Sequence, residues 1–172
     1  MSLPSPVNRA VAVAAVEEFF AAATWREMAE EYGWVFAMLD PLTPVVTLAA
    51  RRTSANPEVF TLRLSCDYYP THPPNAVFVN PETFEYDPEK DQRHVANLQA
   101  QFCYVHTKYG YSQPFRYGPQ LVCSSMSLGY YFSGHTPTPE QAWDPSRHSI
   151  GTTVYTVHRA LNSEHFHGRH GS

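Results

Sequence analysis

Residues 7–32 contain neither glycine nor proline, whereas every glycine and thirteen of the fifteen prolines lie beyond them. Proline removes a backbone donor and clashes with the preceding helical turn, so this opening run, the longest free of both residues, is the natural place for a long helix. Val11, Ala15, Phe19 and Ala23 recur every four residues there and predict one apolar stripe on a helix ending at Gly33. Ser5-Pro6 reads as its start, with serine as cap and proline at the first helical position, and a break near Thr24 is allowed for. The polar face carries Glu17, Glu18, Glu27, Glu30 and Glu31, which anionic lipid would repel, so the helix is expected to pack on a core.

Strand signals follow. Residues 34–39 are apolar and stop at Asp40-Pro41, and residues 44–53 contain Val45, Val46, Thr47 and Leu48. After Asn56-Pro57, Phe60, Leu62 and Leu64 alternate with Thr61, Arg63 and Ser65, the period-two pattern of a half-buried strand. Tyr69-Pro70-Thr71-His72-Pro73-Pro74 then interrupts the chain, and residues 76–79 read as a fourth strand. Short connections imply an antiparallel meander. Ile150, Val154, Val157 and Leu161 give a second helical stripe, with Ser146 as a local cap.

Chemistry concentrates around Cys123. Gly118-Pro119 marks a bend, and Leu121-Val122 can enter a core and leave the Cys123 sulfur at a surface rim. The other cysteines, Cys66 and Cys103, lie at wide spacings with no CxxC, so zinc-ribbon and thioredoxin-like chemistry are not indicated. Nine histidines show no HExxH or paired Cys/His spacing, and no metal or other cofactor is expected. A net charge of −4 with scattered arginines gives no basic face for nucleic acid. No stretch reaches the length of a membrane span and no secretory signal is read, so reduced thiols and a cytoplasmic location are the expectation.

The order of these parts resembles the ubiquitin-conjugating enzyme family, whose members carry ubiquitin or a ubiquitin-like protein as a cysteine thioester. Its Tyr-Pro-x-x-Pro-Pro element stands as residues 69–74, and its Trp-x-Pro motif as Trp143-Asp144-Pro145. The family's His-Pro-Asn motif places Asn eight residues before the active cysteine; Gln113-Pro114-Phe115 occupies that spacing before Cys123. The resemblance implies an α+β fold with an N-terminal helix, a four-stranded antiparallel meander, an active-site loop and a C-terminal helix. It implies one such domain over residues 1–163, with insertions at about 80–112 and 127–142, and a flexible His/Gly-containing tail over 164–172. The divergence implies a prokaryotic member.

In function the resemblance implies a transferase. Cys123 accepts a ubiquitin-like protein from an activating, adenylating enzyme and passes it to an amine of a target protein. Asp144, His135 and His148 are possible accessory groups for orienting or deprotonating that amine. Phe115 cannot supply the hydrogen bond of the family's Asn, which leaves open a non-catalytic binding or assembly module on the same fold. A small hydrolase pairing Cys123 with His135 or His148 is a third possibility, decided by whether a base lies within about 3.2 Å of the sulfur or one water away. The tyrosines at 104, 109, 111, 117, 130 and 131 are expected to finish the core rim rather than to line a groove.

Overall fold

A computed structural model describes residues 4–109 and 118–171. It is a mixed α+β fold with two four-stranded antiparallel sheets and four helices among the described residues. The opening segment forms two helices, α1 (Arg9–Ala21) and α2 (Ala23–Tyr32). Ala22 breaks the run by turning extended at ψ 145°, two residues before the expected break. Gly33 ends α2 at φ 73°, the left-handed conformation glycine adopts without steric cost.

Two expectations change here. Asn8, not Ser5, caps α1, its side-chain oxygen accepting from the Ala10 N–H at 2.9 Å. The buried stripe is also rotated by one residue. Ala12 and Val16 are fully buried, while Val11 is 55% exposed. Phe19 and Phe20 reach past the helix instead, into an aromatic cluster with Trp25, Trp34 and Phe36.

The meander follows as expected, with β1 (Val35–Asp40), β2 (Thr43–Ala50), β3 (Glu58–Ser65) and β4 (Asn75–Val79) paired in sequence order. Register puts Leu62 between Val46 and Phe78, and Phe60 opposite Leu48. These side chains share one face, and all are buried. The other helix of the core, α4 (Ile150–Leu161), contributes Ile150, Val154, Val157 and Leu161 to the same cluster. Each such burial is worth about 1.5–3 kcal/mol relative to exposure. Ser149 caps α4 in a reciprocal capping box with Thr152, whereas Ser146, the expected cap, bonds to Asp144.

A second sheet takes two strands from the segment read as an insertion at about 80–112, one from the cysteine stretch and one from the expected tail. It contains β5 (Ala96–Ala100), β6 (Cys103–His106), β7 (Leu121–Cys123) and β8 (Phe166–Arg169), in the order β7-β6-β5-β8. Residues 166–169 of the expected tail form strand β8. This strand pairs with β5, and the buried Phe166 meets Phe60 at 5.8 Å between ring centroids. A short helix, α3 (Leu128–Phe132), follows β7 within the expected 127–142 insertion. No described helix is long and apolar enough to cross a membrane.

Candidate functional site

Cys123 ends β7, and the chain around it is fixed by polar side chains that reach across elements. The buried Gln120 amide accepts from the Phe78 N–H at 2.7 Å and donates to the Phe78 carbonyl at 2.9 Å, joining β7 to β4. Ser127 Oγ accepts from the Ala76 N–H, and Asn75 Oδ1 accepts from the Gly129 N–H, holding both sides of the turn after the cysteine. Thr153 of α4 and the Tyr131 hydroxyl donate to the carbonyls of Met126 and Ser125. Gly118, at φ 89°, makes the bend before β7. Such a frame holds a side chain in one place, as a reacting group requires.

Alternation along β6 and β7 decides what faces the sulfur. Cys103 and Val105 point into the core, while Tyr104 and His106 point out. Tyr104 pairs directly with Cys123 and His106 with Leu121, so Tyr104 and Cys123 lie on the same face. Leu121 and Val122 are buried and Cys123 is half-buried, as their apolar character implied. His135, three residues beyond α3, brings its Nε2 to 3.8 Å from Cys123 Sγ. That exceeds the separation of N and O partners, in keeping with the larger radius of sulfur, and catalytic contacts tighten when substrate binds.

The imidazole is oriented from its other side. His135 Nδ1 lies 2.6 Å from Ser133 Oγ, and Ser133 Oγ donates its proton to the Tyr130 carbonyl at 2.8 Å. A hydroxyl has one proton to give. With that proton on the Tyr130 carbonyl, Ser133 Oγ accepts from Nδ1–H, and Nε2 presents its lone pair to the Cys123 S–H. This tautomer matches every partner; in the opposite one the Ser133 hydroxyl turns to Nδ1 and the Tyr130 carbonyl keeps only the Ser133 backbone N–H at 3.4 Å. The Tyr130 ring stacks on His135 at 4.8 Å and an interplanar angle of 26°. His106 meets the rings of Tyr104 and Tyr109 at 4.8 and 5.3 Å, and the Tyr109 hydroxyl donates to the Ser133 carbonyl.

Electrostatics separates the three thiols. Burial raises the Cys123 thiol, so the resting group is S–H rather than thiolate. Burial pushes Cys103 up to about 12 and Cys66 higher still; both are fully shielded from solvent. His106 is shifted down by burial and by neighbouring His135, and Tyr130 up by burial and by Cys123. Iodoacetamide is therefore expected to modify Cys123 alone in the native protein, at a rate that climbs with pH to a midpoint above the usual thiol value of about 8.5. Peptide mapping across a pH series checks this, and equal labelling of Cys66 or Cys103 without denaturant contradicts it.

The remaining expected site residues divide. Asp144 receives the Ser146 N–H and hydroxyl and the Arg147 guanidinium, which hold its carboxyl at about 2. His148 Nδ1 accepts from the Asp144 N–H, and its ring lies against Trp143. Both are committed to the turn that leads into α4, and neither makes a described contact with Cys123. Of the three accessory candidates, the structure brings His135 to the sulfur. Gln113, Pro114 and Phe115 lie outside the described residues.

The tyrosines divide in the same way. Tyr131 packs against the core, whereas Tyr104, 41% exposed, and Tyr130 flank the cysteine; Tyr111 and Tyr117 lie outside the described residues. Sequence reasoning did not find Ser133, Gln120 or Asn75. The short Ser133-Gly134-His135 run was the available signal for the first of these. No group of three or more metal-ligating side chains occurs among the described residues. No family model matches the sequence, and no curated protein matches it.

Proposed function

We propose that this protein carries a ubiquitin-like protein as a thioester on Cys123, receiving it from an adenylating enzyme and handing it to a nucleophile on a target protein. The observation that carries the reading is the half-buried Cys123 thiol facing the oriented Nε2 of His135 at 3.8 Å. Attack on an incoming thioester needs a proton acceptor for S–H, and His135 occupies that place. The fold gives further support. A four-stranded meander after the opening helices and a helix after the cysteine are compatible with a ubiquitin-conjugating-like fold, while Cys123 ends strand β7 of a second sheet where that resemblance implies a loop. The two motifs behind that resemblance also touch: Trp143 Nε1–H donates to the Pro70 carbonyl at 2.9 Å, and the Tyr69 and Trp143 rings are 6.3 Å apart.

A thiol set against a base favours the catalytic reading over a binding module. The same pair favours one second reading, a cysteine hydrolase, in which water takes the acyl group. The Cys123→Ser variant distinguishes them. In a carrier charged with ATP, activating enzyme and ubiquitin-like protein it accumulates a thiol-resistant, hydroxide-labile oxyester of one-to-one stoichiometry. Release of free ubiquitin-like protein from a preformed conjugate by the wild type, with no accumulating adduct, identifies the hydrolase instead.

A further inference from the structure

We propose that the free edge of β1 pairs antiparallel with β1 of a second copy of this chain, joining two meanders into one continuous sheet across a two-fold axis at Ala37. β1 is the outermost strand of its sheet, and each of its six residues is exposed. Val35, Phe36, Met38 and Leu39 are between 38% and 67% exposed, and Ala37 completes an apolar run. Edge strands that remain single carry lysine, proline or an inward charge that blocks pairing. None of these stands between Val35 and Leu39.

The backbone defines what this edge accepts. Met38 lies opposite Pro44, which has no N–H, so the two form a non-hydrogen-bonded pair of the β1–β2 ladder. Phe36 and Val46, two positions along, form another. Phe36 and Met38 therefore direct their own N–H and C=O groups away from β2, toward the open edge. A row of donors and acceptors with that spacing is matched by an added strand. In a pair centred on Ala37, Phe36 exchanges both backbone bonds with the partner's Met38, and the other half of the pair repeats the arrangement.

Self-complementarity selects a second copy as the added strand. The run Val-Phe-Ala-Met-Leu is apolar on both sides of Ala37, and its smallest residue sits on the axis, where two identical side chains meet. Phe36 stacks on Phe20 of α1, so Phe36 and Met38 share the helix-side face. There Met38 lines a cavity of about 520 Å³ with Val16, Phe20 and Pro41. Pairing brings the partner's Phe36 opposite Met38, at the mouth of that cavity, where ring and thioether make a favourable contact. Charge follows the same symmetry. Glu17 and Asp40 stand at one end of the strand, and the exposed Arg52 stands beside Gly33 at the other. Pairing about Ala37 sets Asp40 opposite the partner's Trp34, next to Arg52 of the partner subunit. Each acidic end thus meets a basic one.

Sedimentation equilibrium of the full chain over a concentration series tests the assignment. The wild type is expected as a dimer whose dissociation constant rises with salt. Ala37→Lys sets two ammonium groups against each other on the axis, and a monomer with the wild-type circular dichroism spectrum is expected, since Ala37 is exposed. Arg52→Glu is expected to weaken the dimer by about tenfold. Ala37→Cys in a Cys123→Ala background supplies a gain of signal. Its Cα lies about 4.5 Å from its two-fold mate in a non-hydrogen-bonded pair, within disulfide reach, so mild oxidation locks the dimer. Val59→Cys, exposed on β3 away from the axis, does not lock it. A wild type that stays monomeric at its highest soluble concentration overturns the proposal and leaves the edge to a strand of another protein. A dimer that Ala37→Lys leaves intact, or that Ala37→Cys fails to lock, also overturns it. A dimer broken by Ala37→Lys but indifferent to Arg52→Glu and to salt overturns the register at Ala37.

Discussion

His135→Gln slows the loading of Cys123 at pH 7 by about 10²–10⁴-fold, the range of a positioned general base. Burial raises the Cys123 thiol, so at this pH little thiolate exists to react unaided. His135 Nε2, 3.8 Å away, supplies the acceptor for its proton. Glutamine keeps a polar side chain of similar reach but has no basic nitrogen to accept the thiol proton. The deficit therefore has a pH signature: it narrows as pH rises, because the variant's thiol ionises by itself while the wild type gains less. Single-turnover loading followed from pH 6.5 to 10 measures it. A deficit that stays constant with pH assigns His135 a packing role and contradicts the base assignment. Ser133→Ala provides an internal scale. It removes the Nδ1 partner but not the imidazole, so its loss is smaller and keeps the wild-type pH slope.

Trp25→Ala carries the largest expected loss of stability, about 3–5 kcal/mol, the range for emptying a large aromatic site. Trp25 is 1% exposed and packs against Phe19, Phe20, Trp34 and Phe36, at centroid distances from 5.0 to 5.7 Å. It thereby ties α1 and α2 to β1. A loss of that size is a large share of the 5–15 kcal/mol that holds an ordinary domain together. Trp25→Phe is the informative companion. The Trp25 indole N–H is buried without a partner, so phenylalanine removes an unsatisfied donor while keeping most of the ring volume. The urea midpoint is expected to drop sharply for alanine and modestly for phenylalanine, with m unchanged. A loss below about 1 kcal/mol for Trp25→Ala contradicts the placement of this cluster at the helix–sheet junction.

The parts of the fold legible in the sequence are those in which neighbours in the chain pack together. Alternation at Phe60, Leu62 and Leu64 marks β3 because its two partners, β2 and β4, lie next to it in sequence order. The stripe of Ile150, Val154, Val157 and Leu161 marks α4 because one face meets the core. The second sheet left no such trace. Its strands run three to five residues and mix Asn, Gln, His and Tyr with their apolar positions. One of its ladders joins Leu98 to Phe166, 68 positions apart in the chain. Local pattern cannot report a pairing of that kind.

The site divides on the same principle. The burial of Leu121 and Val122 with Cys123 at a rim could be read, since the information is in adjacent residues. The strand itself could not: the stretch reads as a loop and is β7, because its partner β6 lies in a segment without a strand pattern. The partner of Cys123 could not be read with equal force, because His135 sits beyond a helix and meets the sulfur only after β7 and α3 have turned back on each other. Asp144 and His148 looked equivalent to His135 as polar neighbours of a motif. Their hydrogen bonds to their own turn set them apart.

The most direct measurement of the central claim is a charging assay with the wild-type chain, ATP, the ubiquitin-like protein encoded nearest to it and the neighbouring activating enzyme, resolved on non-reducing gels. The expected result is a one-to-one adduct that thiol reductant removes, that persists in Cys66→Ala and Cys103→Ala, and that is absent in Cys123→Ala. No adduct with a demonstrably active partner enzyme, or an adduct that survives Cys123→Ala, contradicts the assignment of Cys123 as the carrier.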